Sequence, residues 1–449
     1  MLFRKIESTI EAHLKSSDNK IMLIDGARQI GKTYIIRHVG RKLFKNYIEI
    51  NMLEDCNGDR HFEKVSTVND FYFQLSMIFG EKMNVKSDTL IFIDEIQAYP
   101  QLLTLLKFLR TDDKYTYIAS GSLLGVTLTT TSSIPMGSIE WTHMYPLDFE
   151  EFLYANGFNT FAVSEIEKRY KSLGALDETT HNNLMNLFKR YLIVGGLPDA
   201  VNAFIESRNV AKIRKVQQDT RAFYAADASK YDEAKKLVIR KVYDMIPSNL
   251  ENKKKRIVFK NIENKKGKIY DNYQDEFEYL TSAGIALEVK AVSTPVFPLA
   301  ESSRKNLLKL YLNDVGILTN ILYKQNPDAI LEDKKSINLG TVYENVVASE
   351  LKAHGFDLFY YDNRDKGEVD FLIDDYDTLS TLPIEVKSGK DYTIHHAINV
   401  FLDNKDYNVR KAIVFSNNRA VTTDAKGITY MPIYYVMFLK PDTNKNSLI

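Results

Sequence analysis

Apolar residues along this chain follow two periodicities, and through the first third these alternate in a regular order. Ile21-Met22-Leu23-Ile24, Tyr47-Ile48-Glu49-Ile50-Asn51, Thr89–Ile93, Tyr115–Ala119 and Ile139–Met144 are apolar or alternating runs of strand length. Between them the spacing predicts helices after Thr33, around Phe71–Phe79 and over Leu102–Leu109. Near-continuous apolar strands separated by helical stretches specify an α/β fold, a parallel sheet with helices on both faces. Ahead of it, Phe3, Ile6, Ile10 and Leu14 recur at helical spacing among charged residues, an amphipathic helix and not a secretory leader.

The pattern then changes twice. From Tyr145-Pro146-Leu147 to about residue 230 it is helical; the helix through Leu184–Leu192 stops at Gly195-Gly196-Leu197-Pro198, and another spans about 200–225. A helix over Ala234–Met245, a helix over Tyr273–Ser282 and a strand at Ile285–Val289 follow, an order that suggests a winged helix. Beyond about residue 300 the spacing predicts a strand end and helix over Lys309–Leu318 and a helix over Tyr343–Leu351. Strands are predicted at Phe359–Tyr361, Glu368–Ile373 and Leu382–Lys387.

Chemistry concentrates at the strand ends. Gly26-Ala27-Arg28-Gln29-Ile30-Gly31-Lys32-Thr33, followed by Tyr34, is a complete phosphate loop between a strand and a helix. Its glycines let backbone N–H groups close around a phosphate, and the helix N-terminus adds partial positive charge. Lys32 is expected to reach the β- and γ-phosphates of ATP, and Thr33 to ligate Mg²⁺. The strand ending in Asp94-Glu95 supplies what such a loop needs: Asp94 for a magnesium-bound water and Glu95 to polarise the attacking water. Ser120 and Ser122 end the next strand, which is expected between the other two, and are candidates to meet the γ-phosphate or that water.

Composition narrows the partners. The chain has 449 residues, a length prior of about three domains. Lysine plus arginine equals aspartate plus glutamate at 59 each, which excludes a polycation, so any nucleic-acid contact must come from a local patch. The basic run at Lys253, Lys254, Lys255, Arg256, Lys260, Lys265, Lys266 and Lys268 is the candidate for DNA phosphates, and equally a solvated loop. A single cysteine, Cys56, excludes an internal disulfide and a cysteine-based zinc site and suits a reducing cytoplasm. No apolar run reaches membrane-spanning length.

A second constellation lies near the C-terminus. Period-two alternation puts Val369, Phe371, Ile384 and Val386 on a buried face and Asp370, Glu385 and Lys387 on the opposite one. Two carboxylates and a lysine, with Glu344 from the preceding helix, form a possible second metal site, the arrangement of a magnesium-dependent phosphodiesterase. A charged sheet face with cross-strand pairs would show the same pattern.

Taken together, Gly26–Thr33, Ile91–Glu95, Ala119–Ser122, Pro146–Leu153, Tyr191–Pro198, Tyr343–Leu351, Glu368–Ile373 and Pro383–Lys387 make the chain similar to a bacterial and archaeal family of AAA-type ATPases. That family carries a C-terminal restriction-endonuclease-like domain of unknown function. The expected organisation is an AAA-type ATP-binding domain over 1–145, a helical lid over 146–231, a winged-helix-like segment over 232–298 and a restriction-endonuclease-like α/β domain over 299–449. Many family members carry a glycine-arginine pair before the Pro-Leu-x-Phe-x-Glu-Phe segment; this chain has Met136-Gly137-Ser138 there. Arg28, Arg110, Arg190 and Arg221 are the possible substitutes for the missing arginine.

The sequence thus leads to a Mg²⁺-dependent ATPase acting as a conformational switch, with ATP as ligand and DNA or a second copy of the chain as candidate partners. An ATP-gated nuclease or repair factor using the C-terminal acids, and an ATP-binding sensor that hydrolyses little, are the alternatives.

Overall fold

A computed structural model describes residues 1–84, 88–122, 124, 137–231, 235–324, 326–332, 337–363, 366–389, 393 and 396–441. The chain forms two compact units. The first holds Phe3–Tyr145 with Glu278–Gly284; the second holds Pro146–Phe277 and the residues from Ile285 on. The second therefore takes in most of the segments expected as lid, winged helix and C-terminal domain. Among the described residues no helix is long and apolar enough to cross a membrane.

The first unit is a parallel sheet of β1 (Ile21–Asp25), β2 (Asn46–Asn51), β3 (Thr89–Asp94), β4 (Thr116–Ser120) and β5 (Ile139–His143) in the order β2-β3-β4-β1-β5. Every residue of β1 and β3 is buried, as their unbroken apolar sequences require. Helices α1 (Ile6–Lys15), α2 (Lys32–Leu43), α3 (Met52–Asn57), α4 (Val68–Phe79) and α5 (Pro100–Asp112) accompany the sheet. Ile21, Leu23, Ile91 and Ile93 pack with Phe71 and Leu75 of α4 and with Leu102, Leu106 and Leu109 of α5. Because the pairings are all parallel, the carboxyl ends of the strands share one edge. Strand β4 lies between β1 and β3, so the phosphate loop and the acids of β3 flank the end of β4.

The second unit begins with α6 (Phe149–Ala155), α7 (Thr160–Lys171), α8 (Glu178–Val194), α9 (Pro198–Ser207), α10 (Val210–Tyr231), α11 (Lys236–Glu251) and α12 (Phe259–Glu263); of the next helix, α13 (Gln274–Ser282), the residues from Glu278 on belong to the first unit. Its sheet comprises β6 (Ala286–Val292), β7 (Ser303–Leu312), β8 (Phe359–Asn363), β9 (Gly367–Asp375), β10 (Ser380–Lys387), β11 (Ala412–Ser416), β12 (Thr422–Thr423) and β13 (Ile428–Pro432). The order is β12-β13-β11-β10-β9-β8-β6-β7. Helices α14 (Val315–Tyr323), α15 (Asp328–Leu331), α16 (Leu339–Ala353) and α17 (His396–Asp403) complete it. From α16 onward the chain runs helix, three antiparallel strands, helix and a parallel strand.

Two expectations are corrected. The strand predicted as a wing is β6, an interior strand paired antiparallel to β7 and parallel to β8. Five of its seven residues are buried, so it needs cover on both faces, which a wing lacks. The face of β9 and β10 that carries Asp370 and Glu385 is also buried, at 8% and 7% exposure, which departs from the alternative reading of it as a charged sheet face open to solvent. Helix α16, itself buried along most of its length, packs against β10 and β7.

The helical segment after Tyr145 is tied to the large sheet through Asp314. Its Oδ1 caps α14 by accepting from Ile317 N at 2.9 Å, and its Oδ2 accepts from Gly196 N at 2.6 Å. Gly196 O in turn accepts from Leu147 N at 2.7 Å. A Cβ at Gly196 would lie 2.0 Å from Leu147 O, so only glycine fits there. Arg214 of α10 adds bonds to Ile193 O, Gly316 O and Thr319 Oγ1 at 3.1, 3.2 and 3.0 Å. Gly196→Ala is expected to destabilise the second unit by about 2–3 kcal/mol through backbone displacement. A denaturant titration of that unit checks this, and an unchanged midpoint would contradict the role given to Gly196.

Candidate nucleotide site and C-terminal carboxylate cluster

The phosphate loop leaves β1 and enters α2 through left-handed backbone at Gln29 and Gly31, with φ of 62° and 93°. Gly26 has φ 133°, and a Cβ there would sit 2.2 Å from Met144 O, so the loop can pack this tightly against β5 only with glycine. Lys32 is 7% exposed, and its Nζ donates to Gly26 O at 2.9 Å and Ala27 O at 2.7 Å. Burial pulls its pKa down to about 8, against the opposing pull of Glu95, Asp94 and Asp25.

Thr33 Oγ1 donates to Asp94 Oδ2 at 2.9 Å, which brings the first helical turn of α2 to the end of β3. The other carboxylate oxygen, Oδ1, accepts from Ser120 Oγ and, at 3.1 Å, from Glu95 N. Burial raises the Asp94 pKa, with Ser120 and Thr33 pulling it back. Thr33 and Asp94 thus form an oxygen pair that suits Mg²⁺, in a donor set of hydroxyl and carboxylate. Glu95 adopts a left-handed backbone, φ 52°, and its Oε2 accepts from Gln97 Nε2 and, at 3.2 Å, from Ser122 Oγ. Ser120 therefore holds Asp94, and Ser122 holds Glu95.

Sequence reasoning missed Arg4, which is 7% exposed. Its guanidinium donates to Ile30 O at 2.9 Å and Tyr145 O at 2.6 Å and so braces the phosphate loop. It also missed Gln97. Periodicity finds neither, because both act through contacts distant in the fold or in an irregular turn. Of the candidate substitute arginines, Arg28 belongs to the loop itself. Arg110 bonds Asn19 Oδ1 at 3.1 Å and Gly137 O at 3.0 Å, before the starts of β1 and β5, and so sits at the sheet edge away from the loop. Arg190 lies on α8; Arg221 pairs with Asp244 at 2.7 Å. Met136 lies outside the described residues.

In the second unit, Glu344, Asp370, Glu385 and Lys387 come together. The register Ile384↔Phe371 sets Glu385 beside Asp370 on neighbouring strands, and Asp370 Oδ2 accepts from Val386 N at 2.9 Å. Glu385 Oε1 pairs with Lys387 Nζ at 2.6 Å. Burial first, then Asp370, pushes the Glu385 carboxyl up to about 8. Glu344 accepts from Tyr311 Oη at 3.1 Å and pairs with Lys255. Lys309, with a fully buried side chain, pairs with Glu368 at 2.5 Å and lies over the Tyr360 ring. Lys255, Lys309, Glu368 and Tyr311 were not anticipated as members. Of the basic run, Lys253 and Lys254 are exposed, whereas Lys255 turns inward and Arg256 faces Asp362 at 3.6 Å.

Comparison with known proteins agrees with the first unit. Residues 18–153 match a family described as an AAA domain, so this part of the chain is similar to AAA-type phosphate-loop domains. Residues 185–328 and 339–436 match two domains of unknown function, DUF8612 and DUF4143, which bring no activity with them. An uncharacterised protein of Methanocaldococcus jannaschii, MJ1544, is 24% identical over 373 residues, 81% of this chain and 74% of that protein. Among solved structures, the Walker-type ATPase PABY2304 of Pyrococcus abyssi is 13% identical with a TM-score of 0.45, covering 74% of this chain and 96% of its own. The RuvB Holliday junction branch migration motor of Thermotoga maritima is 16% identical with a TM-score of 0.29, over 64% and 89%. Scores this low do not define a shared overall fold.

Arg4→Ala removes a charge-assisted bond to Ile30 O in the loop and another to Tyr145 O. It is expected to weaken ATP binding about tenfold while the first unit stays folded. Titration with a fluorescent ATP analogue checks this; unchanged affinity would mean that the loop needs no brace.

Proposed function

We propose that the chain is a Mg²⁺-dependent ATPase that uses ATP binding and hydrolysis as a conformational switch. The observation that carries this reading is the Thr33–Asp94 hydrogen bond at the carboxyl edge of the sheet, with Glu95 next in the chain and Lys32 buried in the same loop. Lys32 would neutralise the phosphates, Thr33 and Asp94 would hold Mg²⁺, and Glu95 would orient the attacking water, while Ser120 keeps Asp94 in place. The helices of 146–231 would serve as the lid that responds to nucleotide. DNA and a second copy of the chain are the partners to be tried.

The test is ATP turnover with Mg²⁺, with and without DNA. Lys32→Ala is expected to lose ATP binding, and Glu95→Gln to bind ATP with turnover lowered at least about a hundredfold. Normal turnover in Glu95→Gln would remove Glu95 from the mechanism. Tight binding with negligible turnover in the unaltered chain would favour an ATP-binding sensor.

A second reading, a divalent-metal-dependent nuclease of restriction-endonuclease type, is favoured by one further observation. Glu385 Oε2 is buried with no hydrogen-bond partner among the described residues, next to Asp370. An orphaned carboxylate oxygen beside a second carboxylate is what a hard cation takes. Asp370, Glu385 and Glu344 would hold the metal, which supplies Lewis acidity and an activated water, and Lys387 would steady the attacking group. Mn²⁺-dependent nicking of plasmid DNA that disappears in Asp370→Ala is the expected result; nicking that survives the substitution would come from elsewhere.

A further inference from the structure

We propose that the Lys255 ammonium occupies a cation position of the C-terminal carboxylate cluster, so that the cluster admits a divalent metal only once Lys255 has withdrawn. This rests on the metal-site reading of Glu344, Asp370 and Glu385.

The argument begins with where Lys255 comes from. Helix α11 ends at Glu251, and the chain returns to the sheet within a few residues, where Ile257 N bonds Leu308 O at 2.8 Å on β7. Between these two anchors Lys255 takes a left-handed backbone, φ 49°, closed by its N–H on Asn252 O at 3.0 Å. A lysine has no intrinsic preference for that conformation, which is strained in a residue with a Cβ. Its neighbours Lys253 and Lys254 are exposed, while Lys255 alone of the three is turned in and only 21% of its side chain remains exposed. The compensating contact is an ion pair with Glu344, whose side chain is 3% exposed.

The occupied position matters because of what surrounds it. Glu344 has one oxygen on Lys255 and the other on Tyr311 Oη at 3.1 Å. Asp370 has Oδ2 on the Val386 N–H, and Glu385 has Oε1 on Lys387. Glu385 Oε2 is left buried without a hydrogen-bond partner among the described residues. The cluster therefore keeps an open oxygen for a cation while one of its three carboxylates is already committed to an ammonium. A divalent ion that recruited Glu344 would have to displace Lys255, because two cations sharing one buried carboxylate repel strongly.

Mn²⁺ binding to the full-length chain tests this, measured by calorimetry on the unaltered protein, Lys255→Met and Lys255→Met/Asp370→Asn, with folding checked by circular dichroism. Lys255→Met is expected to bind Mn²⁺ at least about tenfold more tightly than the unaltered chain, and the double variant to lose that gain. Equal affinity in the unaltered chain and Lys255→Met would overturn the proposal and leave the metal site standing. Binding in neither would overturn both. A second measurement needs no substitution. Acetylation of the unaltered chain, followed by peptide mass spectrometry, should modify Lys255 more slowly than Lys253 and Lys254, and saturating Mn²⁺ should abolish the difference. Protection of Lys255 that persists at saturating Mn²⁺ would also overturn the proposal.

Discussion

A carboxylate buried beneath a glycine pair holds the second unit together. Asp314 is 2% exposed, and burial pushes its carboxyl up to about 6, even though backbone N–H groups of Gly196, Ile317, Gly316 and Leu197 pull the other way. Such a group is costly to bury unless its acceptors are filled. Here they are filled from two distant parts of the chain at once: α14, which Asp314 caps, and the turn between α8 and α9. Removing Cβ atoms from that turn is what lets the backbone come close enough. The helices after Tyr145 and the eight-stranded sheet therefore belong to one packed body, because the acceptor and its donors come from both.

The first unit is governed by strand order. With β4 between β1 and β3, the phosphate loop and the acidic strand cannot touch through adjacent backbones, and the gap is closed by side chains. Thr33 reaches Asp94 from the start of α2, and Ser120 reaches it from the end of β4. Both donors are hydroxyls. They fix the carboxylate by hydrogen bonding and bring no counter-charge to it. The buried ammonium of Lys32 is held by loop carbonyls instead.

What the sequence made legible follows from which signals are local. The five strands of the first unit, the loop and Asp94-Glu95 could be read because apolar runs and a contiguous motif encode them. The C-terminal quartet could be read as a set because alternation is local to each strand. Its burial could not, since the cover comes from α16, which is continuous with neither strand. Arg4 and Lys255 were illegible for a related reason. Each looks like one more charged residue in a charged stretch, and only the fold shows that it turns inward. The supposed wing failed because strand length and position do not reveal how many edges a strand pairs along; the burial of five positions in β6 does.

The two carboxylate sites of this chain meet the same electrostatic problem in opposite ways. At Asp94 the donors are the neutral hydroxyls of Thr33 and Ser120 and the Glu95 N–H. In the C-terminal cluster the acids carry their own counter-charges: Lys387 on Glu385, Lys255 on Glu344 and Lys309 on Glu368. Burial also favours the protonated form of Glu385 and of Glu344. Ammonium groups and protons together lower the field that would draw in a divalent ion, and any such ion must compete with them. A site built only for stability would be expected to pair every oxygen in this way. Glu385 Oε2, which has no hydrogen-bond partner among the described residues, breaks that pattern at the position where the carboxylates of β9 and β10 meet. On the proposal made above, self-neutralisation with an oxygen left open ties cation access at this cluster to the movement of a lysine.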